Sequence, residues 1–393
     1  MKVKRAIWSM ALAVVMAAGS GISAEGQSGD AFKVHRVGTH RSEACCVGDF
    51  NNDGKLDIVG LPFLYLAPDF KPVKICDVGG VVGEDGKGYQ DDFMNVPLDV
   101  DGDGWLDVVT CTWFEKKCDW VKNPGPAGGT WTRKLFMENG NYEAGELEDV
   151  DGDGKAQEIL PAVVNTVWYE VKNGVPTKHV VSEKEMTWGV GCGDINGDGR
   201  PDLVRPDAWF EAPEDPRAGT WTEHPIDIGN RGKPTTDMAQ ILVYDVNGDG
   251  LADLIGSAAH DYGLYWFEQV KEGAEIAFTR HVIDTSWSQV HSLALANLDT
   301  DDELELIAGK RFMAHNGGDP GEFEPLGVYW YDLKRKPDVS WTKHNITFDQ
   351  GIGSGMNIAV ADLDADGDKD IVVTGKWGGP VWFENVLGNG TAK

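Results

Sequence analysis

Carboxylates recur in this chain at a spacing that suits a hard divalent cation. Asp49, Asn51, Asp53 and Asp57 stand at positions one, three, five and nine of one stretch, with Gly54 at position six. The stretch returns as Asp99, Asp101, Asp103 and Asp107, as Asp149, Asp151 and Asp153, and as Asp194, Asn196, Asp198 and Asp202. It returns again as Asp245, Asn247, Asp249 and Asp253, as Asn297, Asp299, Asp301 and Glu305, and as Asp362, Asp364, Asp366 and Asp370. Alternate side chains converge on one point and the glycine permits a sharp turn, which is the ligand logic of calcium: many oxygens, no sulfur, no imidazole. The third stretch has Gln157 at position nine with Glu158 next, and the sixth puts Asp302 where glycine stands elsewhere, so a weaker or empty site is expected there. Acidic turns without metal are the alternative reading.

A second set of residues breaks the pattern. His35, His179, His224, His281 and His344 recur in one strand motif and read as structural, whereas His40, His260, His291 and His315 do not recur. His260 and His291 lie 31 residues apart in successive units. They can share a divalent metal such as Zn2+, with Glu43, Asp237 or Asp261 completing the site. They read equally as a metal-free acid/base pair or as ordinary loop residues.

The elements that must position these groups follow from the repeat. The acidic stretches begin at intervals of 50, 50, 45, 51, 52 and 65 residues, a period typical of propellers and related arrays. Each is flanked by short β-branched runs that read as strands. An aromatic strand recurs in phase, as in Trp113-Phe-Glu115, Trp209-Phe-Glu211 and Trp382-Phe-Glu384, and so does a strand of the type Trp221-Thr-Glu-His224. Four strands repeated seven times predict an all-β fold, a seven-bladed β-propeller of four-stranded blades. The seventh unit lacks its fourth strand, and Phe32-Lys-Val-His35-Arg-Val37 supplies a stray copy, so the N-terminal strand is expected to close the ring. Residues 25–393 then form a single propeller carrying seven calcium-type loops.

In such blades the acidic loops occupy one face. The segments leading into the first strands, and the loops between second and third strands, occupy the other. That face gathers His40, Arg41, Glu43, Asp91, Tyr142, Glu143, Trp188, Asp237, His260, His291, Lys310, Arg311, His315, Asn357 and Trp377. Among these, His40, Arg41, Asp91, Tyr142, Glu143, Trp188, Asn357 and Trp377 read as binding residues for a sugar or glycoside. The tryptophans most suited to stacking on a sugar are Trp188, Trp287 and Trp377, because the in-register Trp-Phe-Glu strands are better explained by packing between blades.

Composition agrees. There are 64 acidic residues against 35 basic ones, a net charge of −29 and 50 glycines. So acidic a surface excludes nucleic acid and anionic membranes as partners and suits cation binding. Lys2, Lys4 and Arg5 precede an apolar run from Ala6 to Ala18 and small residues ending at Ala24, the pattern of a signal peptide over residues 1–24. Export to the periplasm or the extracellular space is expected, with no transmembrane segment in the mature chain. That compartment permits disulfides among Cys45, Cys46, Cys76, Cys111, Cys118 and Cys192, whose spacing specifies no pairing. No nucleophile elbow, P-loop, dinucleotide fingerprint or HExxH motif occurs.

The acidic loops resemble the FG-GAP/VCBS repeats of calcium-binding seven-bladed propellers, a family that includes the integrin α headpiece. The resemblance implies structural Ca2+ joining two strands of a blade. The Trp-Phe-Glu and Thr-Trp-Thr-x-His strands, with His291-Ser-Leu-Ala and Gly309-Lys-Arg311, resemble the propeller domain of the aldos-2-ulose dehydratase family. That resemblance implies elimination of water from a keto-sugar; the family's cupin-type domains have no counterpart in these residues, so it implies no isomerisation. Elimination beside a carbonyl needs a base, an electrophile for the enolate oxygen and an acid for the leaving group. His291 or His260 suits the base or a metal ligand, Lys310 or Arg311 the electrophile, and Glu43 or Asp237 the acid. A non-enzymatic propeller binding glycans or a protein, and an extracytoplasmic scaffold, are the other readings.

Overall fold

A computed structural model describes residues 31–138, 140–229, 237–272, 275–299, 301 and 303–387. The expected signal peptide and Asp302 lie outside the described residues. Seven four-stranded antiparallel sheets stand in a ring, and an extra hairpin, Gly80–Val82 with Gly88–Gln90, is inserted between the first two blades. The inner strands, Cys46–Gly48, Met94–Leu98, Ala144–Glu148, Gly191–Gly193, Ile241–Tyr244, Val290–Ala296 and Ala359–Ala361, surround the axis, the last lying beside the first.

Burial explains why the second strands are mainly apolar after the carboxylate at their head. Asp107–Cys111 and Glu305–Lys310 are buried along their whole length, because each is covered by a blade on either side. The outermost strands are wet; Lys71–Lys74 is exposed throughout. Between these extremes, the third and fourth strands are joined by a repeated cross-strand pair. Trp168 stacks on His179 at 4.0 Å, Trp209 on His224 at 4.0 Å, Trp266 on His281 at 4.4 Å and Trp330 on His344 at 4.1 Å. The fifth copy joins the ends of the chain: Phe32–His40 pairs with Gly379–Asn385, and His35 stacks on Trp382 at 4.3 Å. The repeated histidines are structural and the N-terminal strand closes the ring.

The acidic loops are tied to the blades through position nine. In six blades a carboxylate there accepts the amide of the loop's second residue, as Phe50 N to Asp57 at 3.1 Å and Val246 N to Asp253 at 3.0 Å. In the third blade Glu158, not Gln157, takes this role, receiving Val150 N at 3.2 Å. Where the residue is Asp, its second oxygen takes an amide from the third strand or just beyond its end: Ala67, Asn123, Ala212, Gln269 and Asn385 donate at 2.7–2.8 Å. Three of those residues also reach the preceding blade. Asn123, Gln269 and Asn385 donate from their side-chain amides to the carbonyls of Phe50, Ile195 and Leu298.

Replacing Asp202 by Ala leaves the amides of Ile195 and Ala212 without their acceptor and is expected to cost about 2–4 kcal/mol in urea unfolding. The loss should persist in a calcium chelator. A loss seen only with calcium present would mean that this carboxylate acts through the metal alone.

Candidate functional site

On the face opposite the acidic loops, the segments that break the repeat enclose a cavity of about 310 Å³, at the small end of the range for ligand sites, about 300–1,000 Å³. One wall is aromatic. Tyr89, Phe93, Trp113, Phe114 and Trp188 line it, with Trp113 and Trp188 5.1 Å apart between ring centroids. The loop that carries Trp113 and Phe114 is held twice. Cys111 and Cys118, facing each other on adjacent strands, form a disulfide at its base, and the buried Asp91 accepts the amides of Trp113, Phe114 and Glu115 at 2.8–3.2 Å.

The other wall is polar: Glu143, Asp237, His260, Arg311 and His315 line it, with His291 buried behind them. Arg311 is 2% exposed and donates to Glu43 at 3.0 Å, with Glu143 3.7 Å away. Burial alone would lower its pKa; Glu43 and Glu143 outweigh that and hold it above the usual arginine value. The guanidinium also lies 5.3 Å over the Phe93 ring. Burial pushes the carboxyls of Glu43 and Glu143 up, against the pull of Arg311 on both. Asp237 is raised mainly by burial as well. Burial and the neighbouring His315 push His260 down to about 4, against the pull of Asp319. Burial, Arg311 and His260 hold His291 well below the ordinary imidazole range. Two imidazoles are therefore neutral near pH 7 beside carboxyls biased toward their protonated form.

His260 and His291 meet edge to face at 4.8 Å, and His315 stacks on His260 at 4.0 Å. Glu143, His260 and His291 each offer a ligand atom within 4.8 Å of the others, which suits a divalent metal with nitrogen and oxygen donors. The carboxylate within reach of both rings is Glu143, which was read as a sugar-binding residue, in place of the Glu43, Asp237 or Asp261 expected to complete the site, while Asp319 groups with His260 and His315. On the far face, Asp99, Asp101 and Asp107 cluster in the same way, as do Asp149, Asp151 and Glu158, and Asp299, Asp301 and Glu305. Asp101 Oδ1 is buried with no partner among the described residues, as an oxygen that awaits a cation would be.

Several residues expected at the site are elsewhere or act at one remove. Lys310 is fully buried, and its Nζ donates to Ser288 Oγ and to the carbonyls of Ser288 and Gly321. It anchors a loop and is not available to an enolate. Glu43 reaches the cavity only through Arg311. Tyr142 is 1% exposed in the core with Met137, Val163 and Tyr169. Asn357 bonds both backbone groups of Cys45 and joins blade seven to blade one. His40 pairs with the Gln90 side chain and Arg41 donates to the carbonyl of Gly83, both away from the cavity. Trp377 packs against the cluster around Ile352, and Trp287 is buried with its indole on Asp284 and Tyr331.

Tyr89, Phe93 and Asp319 are the residues that motif reading missed, and Trp113-Phe-Glu115, read as a copy of the aromatic strand, lies instead in the loop between Asp107–Cys111 and Lys117–Lys122, where Trp113 and Phe114 line the cavity. Tyr89 belongs to the inserted hairpin, whose ring hydroxyl donates to Ala314 O at 2.7 Å, and Asp319 to the loop 311–326 it meets. The 65-residue interval between the last two acidic loops was the signal for that loop.

No family model matches the chain. Aldos-2-ulose dehydratase of Phanerodontia chrysosporium is 22% identical over 346 aligned positions, which take in 73% of this chain and 36% of that protein. The chain thus spans about a third of that relative's length. Among solved structures, the V. cholerae biofilm matrix protein Bap1 is 14% identical with a TM-score of 0.38, over 86% of this chain and 78% of that one.

Replacing Arg311 by Met leaves Glu43 and Glu143 buried without their cation and is expected to destabilise the fold by about 3–5 kcal/mol. Adding Glu43→Gln to the same chain should restore part of that loss in urea unfolding. If the double variant is no more stable than the single one, the pair does not carry the energetic weight assigned to it.

Proposed function

We propose that the protein is an exported, calcium-stabilised propeller that eliminates water or an alcohol from a keto-sugar or oxidised glycoside in this cavity. The observation that carries the reading is the convergence of two neutral imidazoles, Glu143 and Arg311 opposite an aromatic wall in a space of monosaccharide size. The partial likeness to a sugar dehydratase points the same way.

The chemistry assigns each group a role. His291 or His260, neutral near pH 7, takes the proton from the carbon beside the carbonyl. Arg311 hydrogen-bonds the carbonyl oxygen as it gains negative charge. The electron pair of the broken C–H bond becomes the new C=C bond as the C–O bond to the leaving group breaks. Glu143, biased toward the acid form, gives its proton to the departing oxygen, which leaves as water or an alcohol. The imidazolium then returns its proton to Glu143, and both groups are reset. Asp237, on the same wall, is the second candidate acid. The aromatic wall would carry a sugar ring by stacking. In an alternative arrangement a divalent metal such as Zn2+ would be held by Glu143, His260 and His291 and would polarise the carbonyl oxygen; those three groups would then be engaged as ligands, and the proton transfers would fall to Asp237.

Ca2+ in the acidic loops would neutralise converging carboxylates, as in loop two around Asp101, on which Lys122 now sits. The Cys111–Cys118 disulfide supports export to an oxidising compartment. A binding-only reading is favoured by the aromatic wall alone; it requires affinity that depends on Trp113 and Trp188 with no turnover.

Purified protein incubated with keto-sugars and oxidised glycosides should generate an enone absorbance. His260→Ala and His291→Ala should each lower the rate about 10²–10⁴-fold while circular dichroism stays unchanged. Binding without absorbance from any such sugar would transfer the assignment to the binding-only reading. Elemental analysis should find calcium, and chelation should lower the melting temperature. Failure of both would remove calcium from the account.

A further inference from the structure

One carboxylate holds two of the site's imidazoles. Asp319 Oδ2 lies 2.9 Å from His260 Nδ1, and Asp319 Oδ1 lies 3.0 Å from His315 Nδ1. The two rings are stacked within 12° of parallel. Neither histidine places the aspartate; the turn beneath it does. Glu322, 1% exposed, accepts the Asp319 amide at 3.2 Å and the His315 amide with its other oxygen. Two buried lysines fix the same loop to the propeller, Lys310 through the Gly321 carbonyl and Lys376 through that of Met313. Asp319 is thus a rigidly mounted acceptor that reaches from blade six to a histidine of blade five.

We infer that Asp319 is a positioning residue: by accepting Nδ1–H from both His260 and His315, it selects the same tautomer in each ring and leaves both Nε2 atoms as the lone-pair nitrogens of the cavity wall. An imidazole's tautomer is set by the hydrogen bond made at its other nitrogen. A carboxylate can accept from two rings at once, whereas a neutral amide offers one acceptor oxygen and an N–H2 donor. The inserted loop therefore supplies a proton arrangement that blade five could not specify alone. Its effect on turnover rests on the elimination reading; the tautomers do not.

The test is a long-range ¹H–¹⁵N correlation spectrum of the imidazoles in full-length protein labelled at histidine, recorded near pH 8 and assigned with His260→Gln and His315→Gln. Both rings should show Nδ1–H with Nε2 unprotonated. Asp319→Asn should convert one ring to the Nε2–H form, and turnover should fall about 10–100-fold, the usual cost of losing such an orienting partner. Should Asp319→Asn fail to fold, the wild-type spectrum still decides the assignment. An Nε2–H tautomer at either ring in the wild type, or spectra unchanged in Asp319→Asn, would overturn it. A tautomer switch in a protein that turns over no keto-sugar would uphold the role of Asp319 and count against the elimination reading.

Discussion

Seven buried carboxylates, one at the head of each second strand, hold the acidic loops to the blades. Each accepts a loop amide from its own blade, and five of them also accept an amide from the third strand or the residue just after it. The dry setting that makes such a group costly when unpaired makes it a firm junction when both oxygens are satisfied. Because Asn123, Gln269 and Asn385 extend the contact to the neighbouring blade, the junctions help set the spacing of the ring as well as the shape of each sheet. Everything on the opposite face inherits its geometry from that spacing.

The cavity arises where the repeat is broken. In an undecorated propeller the loops of that face would surround an open axial funnel. Here the hairpin between blades one and two and the loop 311–326 meet above it, and Lys376 donates to both, at Gly88 O and at Met313 O, while lying 4.0 Å over the Tyr89 ring. Buried cations are expensive unless well partnered. Their use here, with Arg311 between Glu43 and Glu143, indicates that the arrangement of this face matters more than its stability.

The fold was legible because its determinants recur. The acidic stretch, the Thr-x-His strand and, outside blade two, the Trp-Phe-Glu strand repeat in register, and even the misplaced copy around His35 proved to be the strand that stacks on Trp382. The site was only partly legible, because a residue that does not recur is identified by what surrounds it. His260 and His291 were found as exceptions to the repeat. Neighbouring Tyr142 and Glu143 both read as ligand-facing, yet one turned into the core and the other to the cavity. Lys310 and Arg311 divided in the same way, since adjacent side chains on extended backbone leave on opposite sides. Asp91 has a site role only through the amides it holds. Asp319 lies in a loop of ordinary composition, and only the folded turn shows that it faces two histidines.

The closing strand has a consequence for how the molecule is made. Among the propeller's strands the fourth strand of blade seven is synthesised before all others and its partner after all others, so Lys33 must wait for Glu384, 351 positions later, before the pair can form. Blades one to six can assemble in the order of their emergence, each from local hairpins. The ring itself cannot shut until the third strand of the seventh blade is present, and contacts of such long separation are the slow ones in folding. Until then the outer edge of Gly379–Asn385 and the free strand Phe32–His40 are each half of an unfinished sheet. A chain delivered across a membrane from its N-terminus would therefore complete this fold only on the far side.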